Sequence, residues 1–166
     1  MNNQLFSLFV LISFFYFAIA MEGVVIYDKL YSVNVLINVL SYLEDNNVDF
    51  DRVWLRIWLH DGKNYQGWSK NKTRNVEIIE KLANTLKEKD RKYGIFTRID
   101  YWLEITENTS KFSDAPLLYY HEDFKNNFDD YYSSGYAFGG WKDPEMKVYG
   151  NTKNICGANV YPVWLP

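Results

Sequence analysis

Cysteine, histidine and proline are all scarce in this chain. Its one cysteine, Cys156, has no partner within the sequence, which excludes the disulfide framework that staples many small exported domains. Two histidines, His60 and His121, are too few and too isolated for a histidine-built metal site, and neither a metal nor a cofactor is expected. Four prolines form no Pro/Ser linker, and no low-complexity stretch or internal repeat appears, so a single domain is expected. Positive charge is in deficit: 18 Lys and Arg against 21 Asp and Glu give a net charge of −3. Nucleic-acid recognition needs a basic face, so nucleic acid is excluded as a partner.

Long apolar runs are nearly missing as well. The longest, Leu5 to Phe17, is interrupted by two serines. At roughly 13–15 residues it is shorter than the ~20 that a bilayer span requires. It follows the polar start Met1-Asn2-Asn3-Gln4 and precedes Ala18-Ile19-Ala20, an A-x-A pattern. That is the layout of a secretory leader over residues 1–20, with the product starting at Met21 and carrying no membrane segment after cleavage. The expectation is an extracellular, mildly acidic domain of residues 21–166. In an oxidising compartment Cys156 is then buried, paired between chains, or bereft of a former partner.

Aromatic residues are abundant, at 19% of the chain, with 14 Tyr, 11 Phe and 6 Trp. Ring faces stack on the apolar faces of pyranoses, which suits a sugar-binding groove, although most such residues serve a core. Asn71-Lys72-Thr73 and Asn108-Thr109-Ser110 are glycosylation sequons in polar stretches.

Periodicity gives an alternating order. Gly23–Tyr27 reads as a buried strand, followed by a helix capped at Asp28 with Leu30, Val33, Leu36, Ile37, Leu40 and Leu43 at helical spacing and Asn46-Asn47 as its stop. Val53 to Leu59 reads as a strand, and His60 to Asn71 as a polar loop. A helix follows with Val76, Ile79, Leu82, Ala83 and Leu86 on one face and charges on the other. Tyr93–Thr97 is a strand, Asp100–Thr106 a short helix capped by Asp100, and Leu117–His121 another strand. Beyond Phe128 the chain turns to short strands, near 146–149 and around Val160. Alternating strands and helices imply a parallel sheet with helices packed outside it.

Three stretches resemble the lysozymes of glycoside hydrolase family 25, most closely the secreted nematode ones. The first is Val53–Trp58, then a loop, a long helix and Tyr93-Gly94-Ile95-Phe96-Thr97. The second is Pro116-Leu117-Leu118-Tyr119-Tyr120-His121-Glu122-Asp123. The third is Phe138-Gly139-Gly140-Trp141, Pro144, Lys147, Tyr149, Cys156-Gly157-Ala158, Trp164 and Pro166. The resemblance implies an irregular, TIM-like (β/α) barrel that lacks about the first two β/α units. It also implies a family that cleaves the β-1,4 bond of bacterial peptidoglycan, with nematode members tied to defence against bacteria.

Glycoside hydrolysis needs one carboxyl group to protonate the leaving oxygen and a second as nucleophile, base or electrostatic partner. The resembled family carries these as D-x-E on one strand, where residues two apart share a face. Here those positions read Arg56-Ile57-Trp58, and a further acidic position reads Tyr161. The resemblance places another family aspartate on a first strand, which this sequence is expected to lack. Asp61 is the candidate substitute acid, with Glu122 and Asp123 also near the expected strand ends, as loop carboxylates or partners of Arg56. Trp58, Tyr119, His121 and Tyr149 are the candidate sugar-binding residues.

The main expectation is a pseudoenzyme that binds bacterial cell-wall glycan without cutting it. The alternatives are a weak glycosidase using acids such as Asp61, or a truncated family copy without function. A barrel lacking strands also exposes sheet edges, through which copies could self-associate.

Overall fold

The computed structural model of the chain describes residues 16–20, 23–27, 32–59, 67–133, 135–155 and 158–166. Five strands lie parallel and side by side in chain order: β2 (Gly23–Tyr27), β3 (Arg52–Arg56), β4 (Lys92–Thr97), β5 (Leu117–Tyr120) and β6 (Met146–Val148). β1 (Tyr16–Ala20) closes one side antiparallel to β2, and β9 (Val163–Trp164) closes the other antiparallel to β6. β7 (Lys153–Ile155) and β8 (Ala158–Val160) form a separate hairpin. Among the described residues nothing joins β1 to β9, so the seven-stranded sheet is open. β1 occupies the end of the stretch expected to be a leader.

The crossovers are α1 (Val33–Asp45), α2 (Lys72–Glu88) and α3 (Ile99–Thr106), which supply the length that parallel neighbours require. α1 starts at Ser32, whose Oγ accepts from the Val35 N–H at 3.2 Å, and ends at Asn46 as its sequence suggests. The expected cap Asp28 lies outside the described residues. α2 is capped by Asn71, whose Oδ1 accepts from the Arg74 N–H at 3.2 Å, so the helix begins earlier than its apolar stripe. Asp100 proves not to be the cap of α3. Arg98 holds that position without a side-chain bond, and Asp100 sits in the first turn as its ion-pair partner, because the strand exit at Thr97 sets where the helix begins. A further short helix, α4 (Asp129–Ser133), lies in a segment read from sequence as strands and turns. Among the described residues no helix is long and apolar enough to cross a membrane.

Strand alternation separates two cores. Val53, Leu55, Ile57, Ile95, Leu117 and Tyr119 face the helices and pack with Leu36, Leu40, Ile79, Leu82 and Leu86. Trp54, Phe96, Leu118, Met146 and Val148 line the opposite face, with Trp58, Tyr120, Tyr161, Val163 and Leu165 against them. Full burial of each such aliphatic side chain contributes about 1.5–3 kcal/mol. Covering both faces explains why Val53-Trp54-Leu55 reads as an unbroken apolar run. Gly94 pairs with Trp54 across the ladder, and a Cβ there would stand 2.4 Å from the indole ring, so only glycine admits that tryptophan.

Candidate functional site

The C-terminal ends of β3, β4 and β5 lie together, and in parallel barrels and open sheets this is the end where sites are built. Positions 54, 56 and 58 alternate onto one face, as the strand period requires. The backbone between Arg56 and Trp58 is fixed from β4: the Ile57 N–H donates to Phe96 O at 2.9 Å, and Thr97 Oγ1 donates to Ile57 O at 2.8 Å. Trp68, returning from the loop, donates its indole N–H to Trp58 O at 3.1 Å.

Trp58 is half-buried at the centre of an aromatic cluster. Its ring meets Tyr101 edge-on at 4.8 Å and Tyr120 edge-on at 5.4 Å, and it lies tilted against Phe96 at 5.5 Å. Tyr161 reaches Tyr120 at 6.2 Å. Two guanidinium groups stack on this cluster. Arg56 lies 4.1 Å above Trp58 and 5.8 Å from Phe96, while Arg98 lies 5.0 Å from Tyr101 and 5.7 Å from Tyr120. Contacts of this kind contribute about 0.5–2 kcal/mol each, depending on desolvation. Arg56, Trp58 and Tyr161 thus belong to one aromatic and cationic cluster.

A second constellation lies on the helix side of the same strand ends. Lys147, fully buried, places Nζ 2.7 Å from Asp123 Oδ2 and 2.7 Å from Asp130 Oδ1, and it also donates to Asn127 O at 3.1 Å. Tyr119 donates to Asp130 Oδ1 at 2.8 Å, and His121 Nδ1 is 2.6 Å from Asp130 Oδ2. Tyr136 stacks on the His121 imidazole at 4.1 Å. Burial of Asp130 opposes its charge, but the hydrogen bonds from Lys147, His121 and Tyr119 prevail and hold its carboxyl below the usual carboxylate range. Burial and the adjacent Asp130 push the Tyr119 hydroxyl far up, so Tyr119 remains a neutral donor.

His121, Asp123 and Asp130 offer ligand atoms within 4.8 Å of one another, a composition that could hold a cation. The Lys147 ammonium already stands at hydrogen-bond distance from both carboxylates and supplies that charge.

The sequence candidates therefore separate. Trp58 sits in the aromatic cluster. His121 belongs to the second constellation, tethered to Asp130 and stacked on Tyr136. Tyr119 has no exposed ring face, so it cannot stack on a sugar in this arrangement and acts through its hydroxyl. Tyr149 is half-buried and its backbone ties the loop together, with its N–H donating to Pro162 O at 3.2 Å and its carbonyl accepting from the Phe124 N–H at 2.8 Å. Asp123 pairs with Lys147 rather than with Arg56, and Glu122 accepts from the Tyr120 hydroxyl. Asp61, His60 and Cys156 lie outside the described residues. Sequence reasoning missed Asp130, Tyr136 and Arg98. A signal for Asp130 was the Asp129-Asp130 pair beside the aromatic Tyr131-Tyr132, which starts α4. Asn71 and Asn108 are both exposed, and Asn108 Oδ1 accepts from the Gly139 N–H at 2.6 Å.

A family model described as Lysozyme-like protein 1 matches residues 29–149. The chain is 31% identical over 127 residues to Probable GH family 25 lysozyme 4 of Dictyostelium discoideum, covering 76% of this chain and 55% of that one. It is 24% identical over 136 residues to Lysozyme-like protein 2 of Caenorhabditis elegans, covering 75% and 46% respectively. The fold is similar to a muramidase from Acremonium alcalophilum, with a TM-score of 0.53 and 22% identity over 69% of this chain and 50% of that one. It is also similar to the spore cortex lytic enzyme SleM of Clostridium perfringens, with a TM-score of 0.54 and 16% identity over 84% and 46%. The chain spans about half the length of the curated relatives it matches.

Proposed function

The chain belongs to the lysozyme-like proteins of glycoside hydrolase family 25, and on that premise we propose that it is a glycan-binding member that does not cleave its ligand. The observation that carries this reading is the Arg56 guanidinium stacked 4.1 Å above Trp58, at the strand positions where the chemistry needs two carboxyl groups. Arginine keeps its proton at every working pH, and an indole N–H does not titrate, so neither can protonate a leaving oxygen. Asp130 does not replace them. A general acid needs a raised pKa, whereas Asp130 is held down by Lys147, His121 and Tyr119.

Binding has different requirements, and Trp58 with Tyr120 and Tyr161 meets them: rings for the sugar faces and phenol hydroxyls for polar contacts. The ligand in this reading is cell-wall glycan, and the open sheet is an incomplete barrel whose groove these rings floor. Export through the leader at 1–20, glycans on Asn71 and Asn108, and a role toward bacteria outside the cell belong to the same proposal.

Two measurements test it. Turbidity of a cell-wall suspension should not fall at high protein concentration, and the protein should be retained on insoluble peptidoglycan, with retention lost in Trp58→Ala. Clearing that vanishes in Asp61→Asn would replace the reading with a weak hydrolase. No clearing and no retention would leave a family copy without this function.

A further inference from the structure

Resting on the export reading, we propose that Asn71 and Asn108 have divided amides: Oδ1 of each holds the fold, and Nδ2 of each is reserved for an N-linked glycan. A sequon says only that the triplet is present, whereas the bonding says which amide atom is open to a sugar. Asn71 Oδ1 accepts from the Arg74 N–H at 3.2 Å and caps α2. Asn108 Oδ1 accepts from the Gly139 N–H at 2.6 Å, far along the chain. Of the two amide atoms only the oxygen can accept a backbone N–H, so both side chains are fixed in orientation and direct Nδ2 away from the bond. Among the described residues neither Nδ2 donates a hydrogen bond, and both asparagines are exposed. The buried Asn75 differs, because its Nδ2 donates to Ser69 O and to Ile105 O and leaves no place for a sugar.

Attachment leaves the structural bonds in place. Nδ2 forms a bond to the anomeric carbon of a lipid-pyrophosphate-linked oligosaccharide. The anomeric C–O bond breaks, the lipid pyrophosphate leaves, and one Nδ2 proton is lost, while Oδ1 and the bond it accepts take no part. At Asn108 that bond has a particular task. Glu107 and Asn108 both have positive φ, 57° and 61°, a conformation that asparagine tolerates well. The turn it grips, Gly139-Gly140, is also at positive φ, and a Cβ on Gly140 would stand 2.7 Å from Ser110 Cβ. The Trp102 indole N–H fastens the same segment by donating to Thr109 O at 3.1 Å. This sequon is therefore built into the packing, and a bulky group on Nδ2 keeps the amide from turning its oxygen away from Gly139. Both asparagines border one junction, since Lys72 donates to Glu104 O and Asn75 to Ile105 O. The two glycans accordingly stand over the contact between α2 and α3.

Production of the full chain through a eukaryotic secretory pathway tests this. Enzymatic deglycosylation in heavy-oxygen water, followed by peptide mapping, should show Asn71 and Asn108 converted to Asp with one heavy oxygen each. Thr73→Ala and Ser110→Ala should each remove one glycan, and neither alters an amide or the Cβ that Ser110 sets against Gly140. Hydrogen exchange of the Arg74 and Gly139 N–H groups should be as slow with the glycans as without them. In unglycosylated protein Asn108→Gln should lower Tm by about 2–4 °C, the shift expected for one lost hydrogen bond in a domain of this size. Ser110→Ala should leave that Tm unchanged. Absence of a glycan from either asparagine in the secreted, leader-free chain overturns attachment there and leaves the export reading intact. Faster exchange at Gly139 on glycosylation, or a Tm that Asn108→Gln does not change, overturns the division of the amide. Retention of the chain in the cell with its leader uncleaved overturns both readings.

Discussion

Lys147 stands between Asp123 and Asp130 with no access to solvent, so removing its ammonium leaves two carboxylates without their counter-charge. Lys147→Met should cost about 3–5 kcal/mol, read from urea denaturation, because breaking one side of a buried pair exposes the desolvation of the other. A loss below about 1 kcal/mol, the range of exposed pairs, would show that the network is solvated. The same network makes stability pH-dependent. In the folded chain Asp130 is held below the ordinary aspartate value of about 3.9, so the unfolded chain binds more protons there. This contribution is fully present above about pH 4 and disappears as pH falls through the folded-state value. Asp130→Asn should therefore flatten the acid limb of the stability curve, measured by thermal melts between neutral pH and pH 2. An unchanged limb would assign acid unfolding to other carboxylates. Little of this was legible in sequence. The sequence shows 146–149 only as a short strand, and nothing in it marks Lys147 as buried against Asp123 and Asp130.

Helices and strands were more legible than their ends. The stripes of α1 and α2 are local patterns, and a period of 3.6 residues is visible without knowing the fold. Caps depend on where the preceding strand releases the chain, which packing decides; hence Arg98, not Asp100, precedes α3. α2 contains a position that its sequence does not advertise. Asn75 is fully buried within it, accepting from the Ser69 N–H at 2.7 Å and donating to Ser69 O at 2.8 Å and Ile105 O at 2.9 Å. It ties the loop that carries Trp68, and through Trp68 the carbonyl of Trp58, to the end of α3. Asn75→Ala should lower stability by about 2–4 kcal/mol, since three bonds at about 1 kcal/mol each are lost and buried partners go unsatisfied. It should also weaken glycan retention more than an equally destabilising change in α1, such as Val39→Ala. Equal retention in the two variants would remove the coupling between this loop and the surface.

At the level of the whole molecule, the parallel α/β class was legible because alternation of strand and helix permits few other arrangements. The pairing of β9 back onto β6 was not, since two-residue strands carry no periodic signal. The sheet edge carries a consequence for association. β1 covers β2 along five residue pairs, Tyr16↔Tyr27 through Ala20↔Gly23. A chain starting at Met21 lacks that cover and bares the edge of β2, a template for pairing with another copy. Sedimentation velocity on this shortened form should show concentration-dependent association, while the full chain at the same concentrations sediments as a smaller species. Identical behaviour would mean that the β2 edge is protected in some other way.

The order of strands in space, β2-β3-β4-β5-β6, is also their order of synthesis. A nascent chain leaving the ribosome therefore always finds the neighbour of its newest strand already made, and no early strand must wait for a distant partner. Loop-closure entropy is met one crossover at a time. β9, which follows the β7–β8 hairpin in the chain and pairs with β6, is made later, so an arrested chain ending just after Val148 already contains every parallel ladder of the sheet.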